Sequence, residues 1–286
     1  IQATTTVIKD TVIPTVTITS SPIINNANQA AYTVSGACSE NTRIVTVDIG
    51  GVAFTPTCSA LAWTTGAVDV SAAGDSLTLL ITADHDDAAL NNAIQATTTV
   101  IKDTVIPTVT ISSAPDINNS NKTLYTVVGT CSDNTLFVDV SIGTLNVTPT
   151  CTAGSWTTGT QDVSGQADNP AFPITADLTD ISGNVATQAS ITGGFDTANP
   201  TVSITSSPDI TQVNVTNYVV SGLCSESTVS VSVVIGGMAA ITATCSGGFW
   251  NTGTVDVSGE ADNSSLSITA DHSTATQAST TVNKDT

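Results

Sequence analysis

The chain has 286 residues, of which 24 are acidic and 5 basic, giving a formal net charge of −19 at pH 7. Such a surface disfavours nucleic acid and anionic membranes as partners, and it favours solubility and divalent cations. Only 10% of residues are charged and 40% are hydrophobic, with Val, Ile and Thr prominent, a composition of pleated strands rather than of disorder.

Taken from its start, the chain repeats itself. Residues 1–18 read IQATTTVIKDTVIPTVTI and recur letter for letter at 94–111. A pair of cysteines with a tryptophan five residues after the second occurs three times: Cys38/Cys58/Trp63, Cys131/Cys151/Trp156 and Cys224/Cys245/Trp250. The first cysteines are 93 residues apart both times, which is the size of a whole domain with its own core. The expected organisation is a G-like strand and linker over 1–10, then repeats over 11–102, 103–195 and 196–286. The chain opens within a motif and stops on Lys284-Asp285-Thr286, where another repeat would begin, so it reads as a segment of something longer.

In the first repeat, strands are expected near 14–19 (A), 31–38 (B), 43–49 (C), 52–58 (D), 63–71 (E), 77–84 (F) and 94–101 (G). Alternation with period two sets Val45, Val47 and Ile49 on one face, with Thr46 and Asp48 on the other. The same parity returns at Val138, Val140 and Ile142, and at Val231, Val233 and Ile235. No segment shows a helical period. Seven short antiparallel strands between Gly, Asn, Asp and Pro clusters predict an all-β fold, a tandem array of three immunoglobulin-like seven-stranded β-sandwiches. Segment 1–9 has the sequence of strand G with no preceding repeat in this chain, so it is a candidate to pair with the edge of another subunit.

The six cysteines fall as one pair per repeat, which predicts the disulfides Cys38–Cys58, Cys131–Cys151 and Cys224–Cys245 and an oxidising compartment. Strand directions agree: B running up ends at the first cysteine, and D running up ends at the second. Zinc would call for C-x2-C or neighbouring histidines, and neither occurs. Trp63, Trp156 and Trp250, with Tyr32, Tyr125 and Tyr218, read as core packing, sugar stacking being the alternative for the indoles.

The run YTVSGACSEN…VTVDIGGVAFTPTC…W…VDVS…LTLLITAD…ATTTVIKDTVIPTVTI resembles the bacterial immunoglobulin-like repeats of large secreted adhesins and surface fibres. The boundary motif carries the resemblance too: Lys9-Asp10-Thr11…Pro14, Lys102-Asp103-Thr104…Pro107 and Phe195-Asp196-Thr197…Pro200. The resemblance covers all three repeats and implies an extracellular or cell-surface spacer, with neighbouring repeats or identical subunits as partners and a surface receptor or glycan engaged through a region outside this chain. It also implies calcium at the joints between domains. Strand directions place three acidic segments at the linker end of each sandwich. The linkers bring Asp10, Asp103 and Asp196; the B–C loops bring Glu40, Asp133 and Glu226. The F–G loops bring Asp84, Asp86 and Asp87 in repeat one, and Asp177 and Asp180 in repeat two. Carboxylates converging with loop carbonyls are what Ca2+ takes as ligands. Repeat three has a shorter F–G segment that keeps only Asp271, so its site is expected to be weak or absent.

No catalytic motif is present: there is no G-x-S-x-G, no H-E-x-x-H and no phosphate-cradling glycine loop. His85 and His272, with Leu178 between them at the same repeat position, read as surface variation. The chain is therefore expected to be no enzyme. Asn121, Asn146, Asn214 and Asn263 begin N-x-S/T triplets open to glycosylation where the host performs it. The sequence leads to a stalk or spacer of an adhesin or fibre. A subunit of a self-assembling filament, joined head to tail or by strand donation, and a glycan-binding module are the alternatives.

Overall fold

The computed structural model describes residues 9–272 and 274–286. Segment 1–8, with the expected donor strand, lies outside the described residues. The fold is all-β, and each repeat closes over its own hydrophobic core. Repeats one and two belong to one compact unit; repeat three, 196–286, with 118–120, makes a second. Among the described residues no helix is long and apolar enough to cross a membrane.

Repeat two shows the plan most fully. Its strands are Val109–Ser113 (A), Ile117–Asn118 (A′), Val128–Cys131 (B), Val138–Ile142 (C), Leu145–Val147 (D), Ser155–Thr157 (E), Asn169–Leu178 (F) and Ala189–Asp196 (G). One sheet has the order E-B-A and the other D-C-F-G-A′. Repeat three has the same two sheets. In repeat one, strand A is reduced to the bridges Val16–Cys38 and Ser20–Ser35, and A′ to a parallel bridge between Ile24 and Lys102. The alternating pattern on C sets the core: Val45, Val47 and Ile49 are fully buried, as are their counterparts in the other repeats. At about 25 cal/mol per Å2 of apolar surface, each such side chain stabilises its sandwich by about 1.5–3 kcal/mol.

Three expectations change. Strand E is short, Ala62–Thr64 rather than 63–71, because Gly66 takes φ +63° and turns the chain before it rejoins B at the Tyr32–Val68 bridge. Strand A′ is additional: Ile24, Ile117 and Ile210 dip into the core there. The two histidines are not surface residues, since His85 is 4% exposed and His272 0%. Inward parity on strand F runs Ile81, Ala83, His85, and the corresponding Leu178 is equally buried. His85 accepts the Glu40 N–H at Nε2 (3.2 Å), which places its proton on Nδ1, toward the Ile44 carbonyl at 3.0 Å.

Each sandwich is pinned at one spot. The disulfides join the end of B to the segment after D, with S–S distances of 2.09, 2.06 and 1.97 Å. They thereby tie one sheet to the other. Beside them the strand-E indole lies over the glycine of strand B. A Cβ on Gly36, Gly129 or Gly222 would run into the indole and into a strand-A carbonyl oxygen, that of Thr17, Thr110 or Ser203. This is why a glycine, Gly36, Gly129 or Gly222, stands two residues before the first cysteine of each repeat. The indole N–H is satisfied by backbone: Trp63 donates to Thr17 O at 3.1 Å, and Trp250 to Ser203 O at 3.1 Å. The tyrosines are equally committed. Tyr32, Tyr125 and Tyr218 donate to the carbonyls of Pro22, Pro115 and Pro208 at 2.6, 2.7 and 2.7 Å, and burial pushes each phenol up to about 12.

Gly129→Ala is expected to destabilise repeat two by about 3 kcal/mol or more, because backbone and indole on both sides cannot withdraw. Gly165→Ala, with open space around it, is the control and should leave stability unchanged. Hydrogen exchange of strand B amides in the two variants measures the difference.

Candidate functional site

Side chains of repeats one and two meet at the joint between them. Linker residue Asp103 donates its N–H to Ile24 O of repeat one at 2.9 Å, and its Oδ1 caps its own turn by accepting Val105 N–H at 3.1 Å. Opposite it stands the F–G loop of repeat two, Asp180-Ile181-Ser182-Gly183-Asn184. The Asp180 carboxylate shapes this loop by accepting the N–H groups of Ser182 (2.9 Å) and Asn184 (2.8 Å) and the Asn184 amide (2.8 Å). Gly183, at φ +83°, makes the tight corner.

The loop so shaped reaches two ways. Toward the linker, Asn184 Nδ2 donates to Asp103 O at 2.9 Å and Ser182 Oγ to Asp103 Oδ2 at 3.2 Å. Toward repeat one it meets the Asn25-Asn26 corner, which directly follows A′. Asn25 Nδ2 donates to Ser182 O at 2.9 Å, and Asn26 N–H to Asn184 Oδ1 at 2.8 Å. Ser182 and Asn184 are 5% and 3% exposed, so these polar groups are buried and paired. Asn184 is the hub, because one amide serves the loop, the linker and the neighbouring repeat.

Repeat one carries the same loop. Asp87 accepts Ala89 N–H (2.8 Å), Asn91 N–H (2.8 Å) and Asn91 Nδ2 (2.6 Å). Asn91 Nδ2 also donates to Asp10 O at 3.2 Å. Leu90 at φ +65° occupies the place of Gly183.

The other acidic residues expected at the joints are held singly. Asp84 and Asp177 accept the amides of Gln95 (2.9 Å) and Gln188 (2.8 Å) across F and G. Asp86 pairs with Arg43 at 2.8 Å, half-exposed. Asp10 and Asp196 cap their own linker turns through Val12 N–H (3.0 Å) and Ala198 N–H (2.9 Å). Glu40 and Asp133 accept the adjacent Ser39 and Ser132 hydroxyls at 3.4 and 2.6 Å. Glu226 is exposed on its B–C loop. Among the described residues no three of His, Cys, Asp and Glu gather as a metal group. Calcium takes six to eight oxygens, and at the joint of repeats one and two the Asp180 oxygens already serve N–H donors.

A second device roots the linker. Near the end of strand G, Lys102 and Lys284 have buried ammonium groups, 3.3 Å from Asp75 and 3.2 Å from Asp262. Asp75 also accepts the N–H and hydroxyl of Thr104 at 3.1 Å, and Asp262 those of Thr286 at 3.2 and 3.0 Å. In repeat two, Phe195 takes the place of the lysine and packs on Phe172 with ring centroids 5.0 Å apart.

Sequence reasoning missed Asn25, Asn26, Asn91 and Asn184, having followed charge alone. The signal was there: D-x-x-x-N occurs at 87/91 and 180/184 and is lost in repeat three, and Ile-Asn-Asn occurs at 24–26 and 117–119.

No protein-family model matches this sequence, and neither does any curated protein. Among solved structures the chain is similar to a Ca2+-stabilized, ice-binding adhesin of an Antarctic bacterium. Identity is 22% over 96% of this chain and 75% of that one, with a TM-score of 0.44. It is also similar to part of a 1.5-MDa bacterial ice-binding adhesin (19% identity, 97% and 99% of the two chains, TM-score 0.40). A tetra-tandem repeat from the extending region of a large adhesion protein is a third (19%, 94% and 74%, TM-score 0.35). Scores of this size carry no argument about function, which has to come from the chain's own residues.

Asn184→Ala would leave the Asp103 carbonyl and the Asn26 N–H short of partners, at a cost of about 1–3 kcal/mol. The expected readout is faster exchange of the Asn26 amide, with the strand C amides of both repeats unchanged. Acid should weaken the chain as well. Six aspartates are held below the usual carboxylate range. Hydrogen bonds from the serine two residues on hold Asp69, Asp162 and Asp256 down, and those from Asn91 hold Asp87. Thr286, then Lys284, holds Asp262; at Asp75 burial works upward but Thr104 and Lys102 outweigh it. Groups lowered on folding stabilise fully above the usual carboxylate range, and that stability is lost as pH falls through their folded values. Melting temperature should therefore hold from neutral pH down to about pH 4 and fall below it, and Asp87→Asn should flatten the fall.

Proposed function

We propose that this chain is an extracellular structural repeat array, a stalk or spacer of a cell-surface adhesin or fibre. Its modules would be 11–102, 103–195 and 196–286. The single observation behind this reading is where its buried polar chemistry sits. At the joint of repeats one and two, Asn184, Ser182 and Asp103 are engaged in holding one sandwich against the next. Side chains committed in this way fix an angle between modules, which is what a spacer needs and an active site does not. Nearest-neighbour joints of this kind let length grow by repetition without a new core.

Other features support the same reading. Three disulfides suit an oxidising, extracellular location. The repeat-invariant indoles are buried against backbone and cannot stack on a sugar, which removes the main support for a glycan-binding module. The surface carries few basic groups to recognise an anionic ligand, and Lys102 and Lys284 are buried in their own sandwiches. On this view the array acts mechanically, by length and stiffness.

Electron microscopy of the native material should show thin single strands. Periodic polymers would instead mark a filament subunit. Melting temperature and end-to-end length should be the same in calcium and in chelator, because the latch between repeats one and two is made of amides and carboxylates already paired. A melt raised by several degrees in calcium would return the acidic loops to the role of ligands.

A further inference from the structure

The two F–G loops are built alike but differ in what covers them. In repeat two the loop is covered by the Asn25-Asn26 corner, and Ser182 and Asn184 are buried. In repeat one the matching Ala89 is exposed, Leu90 is 72% exposed, and Asn91 is partly open. The internal geometry is nonetheless the same: an Asp carboxylate accepting three N–H groups from residues two and four positions on, and an Asn amide reaching back to the linker carbonyl. The two groups that receive repeat one are also present. The Ser182 carbonyl has its counterpart in the Ala89 carbonyl, which no change of side chain removes, and Asn184 Oδ1 has its counterpart in Asn91 Oδ1. The linkers agree too, since Lys9-Asp10-Thr11-Val12-Ile13-Pro14 is identical to Lys102-Asp103-Thr104-Val105-Ile106-Pro107.

We propose that the Asp87–Asn91 loop of repeat one, with the Asp10 carbonyl, is a docking surface for a further sandwich module that presents an Ile-Asn-Asn corner. The partner's first asparagine amide would donate to the Ala89 carbonyl, and its second backbone N–H to Asn91 Oδ1. The occupied loop of repeat two supplies the template. The occupant is a sandwich module carrying that corner rather than a second copy docking by its third repeat. That repeat carries Thr211-Gln212 where repeats one and two carry Asn25-Asn26 and Asn118-Asn119, so it lacks the amide that donates to the loop carbonyl. The pairing also gives direction to an array: the corner after A′ of one module meets the F–G loop of the next. A loop shortened as in repeat three, which has no D-x-x-x-N, cannot receive a corner in this way. The proposal rests on the spacer reading above and adds what kind of module abuts this face.

The test lengthens the chain by inserting a copy of residues 10–102 between Lys102 and Asp103. This places a first-repeat corner against a first-repeat loop across a native linker sequence. Spin labels at exposed Leu77 of each copy report the distance across the new joint, and labels at Leu77 of the second copy and Ala171 of repeat two report the native one. The expected result is a single narrow distance across both joints. Asn25→Asp in the first copy keeps the corner's own acceptor oxygen but sets a carboxylate against the Ala89 carbonyl. It should broaden the new joint and leave the native one narrow. Asn91→Ala in the second copy should do the same from the other side. A broad distribution across the new joint with a narrow native joint overturns the docking surface and leaves the spacer reading standing. Broad distributions across both joints overturn the two together.

Discussion

Each sandwich depends on the contact between an indole and a bare stretch of backbone. Strand B can pass beneath Trp63, Trp156 or Trp250 only because Gly36, Gly129 and Gly222 have no Cβ, and strand A closes over the same place from the far side. The cystine next to it carries the end of B across to the other sheet. Aromatic residues are only 4% of the chain, so one Trp and one Tyr serve as large fillers of each core, joined in repeat two by Phe172 and Phe195. The Trp and the Tyr both have their polar atom bonded to backbone carbonyls, so neither leaves a buried donor unsatisfied.

The sandwich itself was legible in the sequence because its signals are periodic and local. Parity on C named the buried face, the cysteine spacing named the inter-sheet staple, and the repeated Trp marked the core. What the sequence hid was either too short or too polar to show a period. Strand A′ is two residues long in repeat two and a lone bridge in repeat one, so it gives no alternation to read. The early end of strand E lies in a single positive φ at Gly66, which composition does not distinguish from other turn glycines. The histidine position looked like surface drift because its residue type changes between repeats. A buried site that tolerates Leu178 and, in His85, satisfies both ring nitrogens with backbone groups varies without being exposed.

The acidic residues expected at the linker end are each held by partners of their own, and proximity along an end of a sandwich is not convergence. Carboxylates repel one another unless a cation or a donor intervenes, and backbone and amide N–H groups are the nearer donors here. Asp87 and Asp180 each close a loop of their own, Asp10, Asp103 and Asp196 each cap a turn, and Asp84 and Asp177 each bridge two strands. Asparagine makes the joint because it offers both a donor and an acceptor from one planar group. Asn184 therefore bonds a carboxylate, a carbonyl and an N–H at once, which no aspartate at that position could do.

The end of strand G shows the same separation of structural need from chemical type. Lys102 and Lys284 are two of only five basic residues in the chain, and their recurrence invites a reading as anion-binding groups. Each is instead buried beside an aspartate that also grips the threonine of the following linker. Repeat two meets the same requirement with Phe195 on Phe172, where the other repeats have Leu79 and Leu266. Replacing a buried ion pair by well-packed apolar groups is commonly neutral for stability. That the array uses both arrangements at equivalent places implies that the position has to be filled and the linker rooted, whichever chemistry does it. The lysines are therefore part of how one sandwich hands the chain to the next, and they are withdrawn from any role in recognising a ligand.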